Sequence, residues 1–249
     1  MSMIGLKEVK KKTVDLALKT LLDPPADVRS ETSVNLLFVG NSGTGKSTVG
    51  TLVAQALAEL GFRKNPNPVM VAASDILGAC EPEKEFLNHV QDAENGTLFI
   101  DEAGLFDPAP KGSRSNDSNK VLDALMKVSE TMKHTTTFIL AGYKDDINKI
   151  MGYNQGFRSR FPKKFEFEFN DYTEIQLTKI ISEMLKQRNL RFESVKECGV
   201  PIARVLARRL HKGITININL YIMIIIIFLL GANKPGFGTF NYYIFFSII

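Results

Sequence analysis

Residues 34–48 read Val-Asn-Leu-Leu-Phe-Val-Gly-Asn-Ser-Gly-Thr-Gly-Lys-Ser-Thr, an apolar run that breaks into a glycine-rich loop and then opens a helical stretch reaching about Leu60. Few local patterns restrict a fold as tightly. An uninterrupted apolar strand is buried on both faces, which places it inside a parallel sheet. The loop Gly40, Asn41, Ser42, Gly43, Thr44, Gly45, Lys46, Ser47 satisfies GxxxxGK[ST], with Thr48 following it into the helix. Glycines let successive backbone N–H groups turn inward on phosphate oxygens, and the helix N-terminus adds partial positive charge. Lys46 then reaches the β- and γ-phosphates, and Ser47 offers a hydroxyl oxygen to Mg²⁺, which prefers hard ligands. Strand, loop and helix together predict a P-loop, with residues 40–48 holding a nucleoside triphosphate.

The buried-strand pattern recurs at 69–73, 97–100 and 136–141, separated by helical stretches near 82–93 and 119–133. Residues 165–169 (Phe-Glu-Phe-Glu-Phe) alternate, as a last strand with one exposed face would. Strands alternating with helices predict an α/β fold, a five-stranded parallel sheet between helix layers. Ahead of it, Ile4, Leu6, Val9, Val14, Leu18, Leu21 and Leu22 predict an amphipathic helix stopped by Asp23-Pro24-Pro25, with the lysines at 10–12 on its solvated face. Behind it, patterns at 173–187 and about 195–210 predict a small helical appendage after a turn at Asn170-Asp171.

The strand at 97–100 ends in Asp101-Glu102. One strand and helix downstream of a P-loop, this is a Walker B pattern: Asp101 holds Mg²⁺ through water and Glu102 polarises the attacking water as general base. Asp101 to Gly104 also fits DxxG, the second switch of GTPases. A guanine-reading NKxD is absent, because the Asn-Lys pairs at 119, 148 and 233 continue as Val-Leu, Ile-Met and Pro-Gly. Adenine is therefore favoured.

With Leu140-Ala-Gly-Tyr-Lys-Asp-Asp146 and Gly156-Phe-Arg-Ser-Arg-Phe-Pro162 added, the sequence resembles the AAA+ ATPases of the stage V sporulation protein K and red-type Rubisco activase (CbbX) group. The likeness runs from Gly5-Leu6 to Asp171-Tyr172-Thr173 and covers about residues 5–210. It implies a linker helix over 1–30, an AAA+ core over 31–170, a partial helical lid over 171–213, and assembly as a ring, usually a hexamer. It also implies hydrolysis of ATP with Mg²⁺ to remodel a protein partner. Arg160, with Arg158 as second choice, matches the region that supplies the family's arginine finger, where a planar guanidinium binds two γ-phosphoryl oxygens. Tyr143 falls where relatives place a polar sensor, packing being its other reading. Two departures count against parts of this. Residues 74–81 hold no aromatic where polypeptide-threading relatives carry one. Pro235-Gly-Phe-Gly238 continues as Thr239-Phe240, so no sensor arginine can be placed, and Arg204, Arg208 and Arg209 read as a solvated or interface face. A nucleotide-binding module with little turnover is the alternative function. Residues 106–118, rich in Pro, Gly, Ser and Asn, predict a surface insertion.

Composition enters as a set of exclusions. In 249 residues, 44% hydrophobic and 23% charged, there is enough apolar material for a substantial core and no sign of wholesale disorder. The net charge of +4 gives no field strong enough to argue for nucleic acid, and no basic stripe supports a DNA-directed reading. Cys80 and Cys198, like His89, His134 and His211, lack metal-ligand spacing, and the start lacks the apolar core of a signal peptide, so a reducing cytoplasmic location is expected. The composition breaks near Gly213. Every acidic residue and all but one basic residue precede it, whereas 214–249 carries only Lys234 and consists mostly of Ile, Asn, Phe and Tyr, whose codons are rich in A and T. Residues 220–232 fall short of the ~20 apolar residues of a spanning helix, and adding 214–219 admits two asparagines. Membrane anchoring through this tail is the alternative location. We hypothesise that 214–231 translates a retained short intron, because family-like text resumes at 232–238. The dominant spliced transcript is expected to skip these codons; continuous coverage across them would refute the idea.

Overall fold

A computed structural model describes residues 4–22, 34–108 and 117–187. The five apolar segments form β1 (Leu36–Gly40), β2 (Val69–Ala72), β3 (Thr97–Asp101), β4 (Thr137–Gly142) and β5 (Glu166–Phe169), in the order β2-β3-β4-β1-β5 with every pair parallel. Parallel neighbours need crossovers. These come from α2 (Lys46–Glu59), α3 (Ala73–Leu77), α4 (Pro82–Asp92), α5 (Asp117–Thr131), α6 (Lys144–Tyr153) and α7 (Gln155–Arg160), with α1 (Lys7–Leu22) before the sheet and α8 (Glu174–Gln187) after it. The chain leaves β1 for the far edge at β2, returns through β3 and β4, and then crosses to β5 on the other side of β1. The winding direction thus reverses at β1, and in open parallel sheets the ligand crevice lies at such a point, beyond the carboxyl ends of the strands.

Both sheet faces are covered. On one, Leu37, Val39, Leu98, Ile100, Phe138 and Leu140 join a core completed by α3 to α7, including Phe86, Leu122, Ile147 and Phe157. On the other, Phe38 sits among Phe99, Phe167 and Phe169, with ring centroids 6.1, 5.4 and 5.0 Å away. Helix α2 crosses this face so closely that a Cβ on Gly50 would lie 2.5 Å from the Phe99 ring.

Several details depart from the sequence expectations. β1 begins two residues late because Asn35, fully buried, bonds through its side chain: Phe138 N–H donates to its Oδ1 at 3.0 Å, and its Nδ2 donates to the Arg160 carbonyl at 3.2 Å. Helices α6 and α7 were not anticipated. The signal for α6 lay in Ile147, Ile150 and Met151, buried at helical spacing behind Asp145 and Asp146 in the first turn. In α1, Val9 is buried as expected but Val14 is exposed, and Lys12 is only partly exposed, donating to the Glu166 carbonyl at 2.6 Å. Phe106, placed in a surface insertion by its neighbours, is fully buried, and Asp117 and Ser118 belong to α5; the segment 109–116 lies outside the described residues.

Gly5–Asp171 form one compact unit. Helix α8 belongs to a second, where Thr173 and Gln176 exchange capping bonds: Thr173 N–H to Gln176 Oε1 at 2.9 Å and Gln176 N–H to Thr173 Oγ1 at 3.4 Å. The helix expected at 195–210, the arginines on it and the apolar tail lie outside the described residues.

At the amino end of the sheet, Arg63 is buried and surrounded by carbonyls. Its guanidinium donates to Phe62 O, Lys133 O, His134 O and Thr136 O and to Thr137 Oγ1, at 2.7 to 3.3 Å. These acceptors include carbonyls just beyond α5, so one side chain closes that connection against the start of β4. Burial lowers its pKa to about 10. The unfolded chain is then the stronger base, and the penalty for burying the charge is present in full at neutral pH, fading only above pH 10. Arg63→Met leaves several buried acceptors without donors and is expected to cost about 2–4 kcal/mol. Urea unfolding should show this as a lower midpoint with an unchanged slope.

Candidate active site

At its last rung, Gly40 pairs with Phe169 of β5 so tightly that a Cβ on Gly40 would lie 2.3 Å from the Phe169 carbonyl oxygen. The loop that follows closes on itself. Thr44 Oγ1 donates to the Asn41 carbonyl at 2.8 Å, and Gly45 takes a left-handed φ of 93° as the N-cap of α2, a conformation that glycine reaches without steric cost. Ser42 and Gly43 are exposed at the tip, and Thr48 is exposed on the first turn of α2. Thr48 and Ser47 open onto a groove of about 420 Å³ whose walls include Leu52 and Met70.

Lys46 is buried at the base of the loop, its Nζ donating to Gly40 O at 2.9 Å and Asn41 O at 2.7 Å. Burial pushes its pKa below the ordinary lysine value, and the nearby Asp101 and Glu102 carboxylates oppose that shift. The next residue, Ser47, donates from Oγ to Asp101 Oδ2 at 3.1 Å, while Asp101 Oδ1 accepts the Glu102 N–H at 2.9 Å. A hydroxyl and a carboxylate oxygen held together at the carboxyl edge of a sheet are hard donors of the kind Mg²⁺ takes, so the residues fit that ion. Glu102 is exposed and adopts a left-handed φ of 51°, an uncommon state for a residue with a side chain. A tight turn holds it there: Ala103 is buried, Leu105 N–H donates to Glu102 O at 2.9 Å, and Gly104 packs against Asp146 of α6 with no room for a Cβ.

The structure thus brings Lys46, Ser47, Asp101 and Glu102 together around the loop. Of the other expected residues, Tyr143 stands at that same carboxyl edge, and the two arginines lie on α7. Tyr143 follows β4, is half exposed and N-caps α6. Arg158 and Arg160 end α7. Arg158 reaches Asn148 Oδ1 at 3.2 Å, whereas Arg160 donates to Gly156 O at 3.0 Å and pairs with Glu130 at 3.4 Å. Arg158 is the more open of the two, 43% against 24% exposed at the side chain.

Residues 36–169, the sheet with the P-loop and the Asp101-Glu102 strand, match the family model described as "ATPase family associated with various cellular activities (AAA)". The chain belongs to the AAA ATPase family. Similar proteins include Protein CbxX, chromosomal, of Cupriavidus necator, 33% identical over a 219-residue alignment that covers 84% of this chain and 66% of that protein. Protein CfxQ of Xanthobacter flavus is 32% identical over 216 residues, 83% of this chain and 65% of the relative. The ESX-3 secretion system protein EccA3 of Mycobacterium tuberculosis is 31% identical over 196 residues, 76% of this chain and 30% of the relative. The chain therefore spans about two thirds of the length of CbxX and CfxQ. Its fold is also that of the FIGL-1 AAA domain crystallised in complex with ADP, with a TM-score of 0.51 at 19% identity, covering 74% of this chain and 59% of that one. The resemblance drawn from the motifs holds.

Within this AAA ATPase, two residues that support the site were not anticipated. Asn35 ties the carbonyl of Arg160 to the start of β4, fixing where the arginine helix ends. Asp171, expected only as part of a turn and a motif, binds the P-loop residue Asn41. Their partners lie 103 to 130 positions away, beyond any local pattern. The tight contact between Gly40 and β5 yields the prediction for this site. Gly40→Ala must push Phe169 away or distort the loop base, at about 1–3 kcal/mol. A fall in melting temperature of about 5 °C is expected by calorimetry, together with weakened nucleotide binding.

Proposed function

We propose that this chain is a Mg²⁺-dependent AAA+ ATPase that binds and hydrolyses ATP, acting as a ring oligomer to remodel a protein partner. The observation that carries the reading is the contact of Ser47 with Asp101 beside a buried Lys46, with Glu102 on the adjoining turn. Backbone N–H groups of residues 41–48 receive the phosphates, and Lys46 moves from its carbonyl partners to the β- and γ-phosphoryl oxygens. Ser47 and Asp101 would hold Mg²⁺, and the ion would supply charge neutralisation at the phosphates. Glu102, exposed on the left-handed turn, accepts the proton of the attacking water as general base. Tyr143, at the end of β4, is proposed as the polar sensor.

The guanidinium that meets charge on the γ-phosphoryl group comes from a neighbouring copy, through Arg160 by its motif position or Arg158 by its exposure. The reading that the chain binds ATP but barely turns it over rests on the missing sensor arginine. The client is a protein. Among the described residues no helix is long and apolar enough to cross a membrane, and a cytoplasmic location is part of the proposal. The division into a linker over 1–30, a core over 31–170 and a partial lid over 171–213 is part of the proposal.

Steady-state ATPase assays and nucleotide titrations on the full chain test this. Lys46→Ala is expected to abolish Mg²⁺-dependent nucleotide binding. Glu102→Gln should retain binding while lowering kcat by about 10²-fold or more. The finger, once replaced by Ala, should lower turnover by about 10³-fold at unchanged affinity. Tight binding with no Glu102-dependent turnover at any protein concentration would select the binding-module reading.

A further inference from the structure

Beside the P-loop, the carboxyl ends of β1 and β5 enclose a cleft of about 220 Å³ whose lining includes Asn41, Lys144, Glu168, Asn170 and Asp171. Lys144 is paired with Glu168 at 2.8 Å, and across the cleft the Asn41 amide donates to both oxygens of Asp171, at 3.0 and 2.9 Å. From this geometry we infer that Asp171 is a positioning residue for the P-loop, holding its first turn through Asn41 in the form that receives phosphate. The inference rests on the ATP-binding reading above and deepens it.

Asn41 is where the loop is gathered. Its carbonyl accepts from Lys46 Nζ at 2.7 Å and from Thr44 Oγ1 at 2.8 Å, so its orientation sets the lysine and the loop wall together. Yet it stands one residue beyond the last rung of the β1–β5 ladder, Gly40 against Phe169, where backbone pairing no longer restrains it. Asp171 lies two residues past the end of β5 and continues the grip of that strand by side chain. Both carboxylate oxygens lie within reach of the one amide nitrogen, and a charged acceptor strengthens its bond. Both residues are exposed, so the pair adds little to global stability. What it limits is the set of loop conformations to be given up when nucleotide binds, and restricting these beforehand strengthens binding.

The test is a double-mutant cycle on the full chain with Mg·ADP and a non-hydrolysable ATP analogue, read by titration calorimetry alongside thermal melting and ATPase kinetics. Asp171→Ala and Asn41→Ala should each raise Kd about three- to tenfold, and the double variant should raise it no further. Asp171→Asn, which keeps one acceptor oxygen, should fall between wild type and Asp171→Ala. For the Asp171 variants, KM should rise while kcat stays within about twofold, since Asp171 touches none of Ser47, Asp101 or Glu102. The inference is overturned if the Asp171 variants bind like wild type, if the two alanine effects add in the double variant, or if melting temperature falls in step with affinity. Wild-type chain that binds no Mg·nucleotide would overturn the ATP-binding reading itself, and this inference with it.

Discussion

The pairing of β1 between β4 and β5 fixes where the first strand stops, and the phosphate loop starts from that point. Gly40 is held on one side by the close approach of Phe169, and on the other the ladder to β4 ends with Val39 against Gly142. With its base gripped from both flanks, the loop can turn only outward, toward the crevice where the winding reverses. The same register brings the carboxyl end of β3 level with α2. Ser47 and Asp101, 54 positions apart, meet because two parallel strands deliver their ends to one edge. The aromatic cluster around Phe38 fills the opposite requirement, seating β5 against β1 so that the grip on Gly40 persists.

Charge is distributed over this frame unevenly. Lys46 is buried against carbonyls, and its ammonium is stabilised by Asp101 and Glu102 without a direct bond to either, which leaves its donors transferable. Arg63, at the other end of the sheet, is the contrasting case. It has acceptors on nearly every donor and no adjacent carboxylate among the described contacts, so its charge is bound in place and serves the packing of the α5–β4 connection. One cation is held by partners that phosphate can replace; the other is held by partners that unfolding alone would release.

Much of this was legible in the sequence, for a physical reason. A central parallel strand must be a continuous apolar run, and a phosphate loop must be contiguous because its amides act as a set, so both leave local signatures. β1, β3 and β4, the P-loop and the Asp101-Glu102 edge belong to that class, and the alternation in β5 is the local signature of an edge strand. Asn35 was read as one more strand residue, since nothing in its neighbours reveals that its amide spans from Phe138 to Arg160. Asp171 had only a turn and a motif to mark it, neither of which points to Asn41, and Phe106 was hidden by the polar residues after it. Helices α6 and α7 are short, 10 and 6 residues, so Ile147, Ile150 and Met151 give too few turns of helical spacing between the motifs at 140–146 and 156–162 to mark them.

The placement of the two arginines bears on how a ring would work. Within one chain the Arg160 guanidinium rests on the Glu130 carboxylate and the Gly156 carbonyl, and its main-chain carbonyl is fastened by Asn35. The backbone is thus fixed while the side chain is held by exchangeable contacts. A partly exposed ion pair of this kind is worth about 0–1 kcal/mol, far less than a bidentate contact with a phosphoryl group gaining charge. On the proposed reading, a neighbouring nucleotide site can therefore take the guanidinium from Glu130 at small cost. Glu130 lies near the end of α5, and α5 and α7 pack together in the same core, so the exchange would be felt along the helix that follows the Asp101-Glu102 strand. Were Arg160 the finger, it would report the neighbour's phosphate to its own chain as well as acting on it, which a freely projecting arginine would not do.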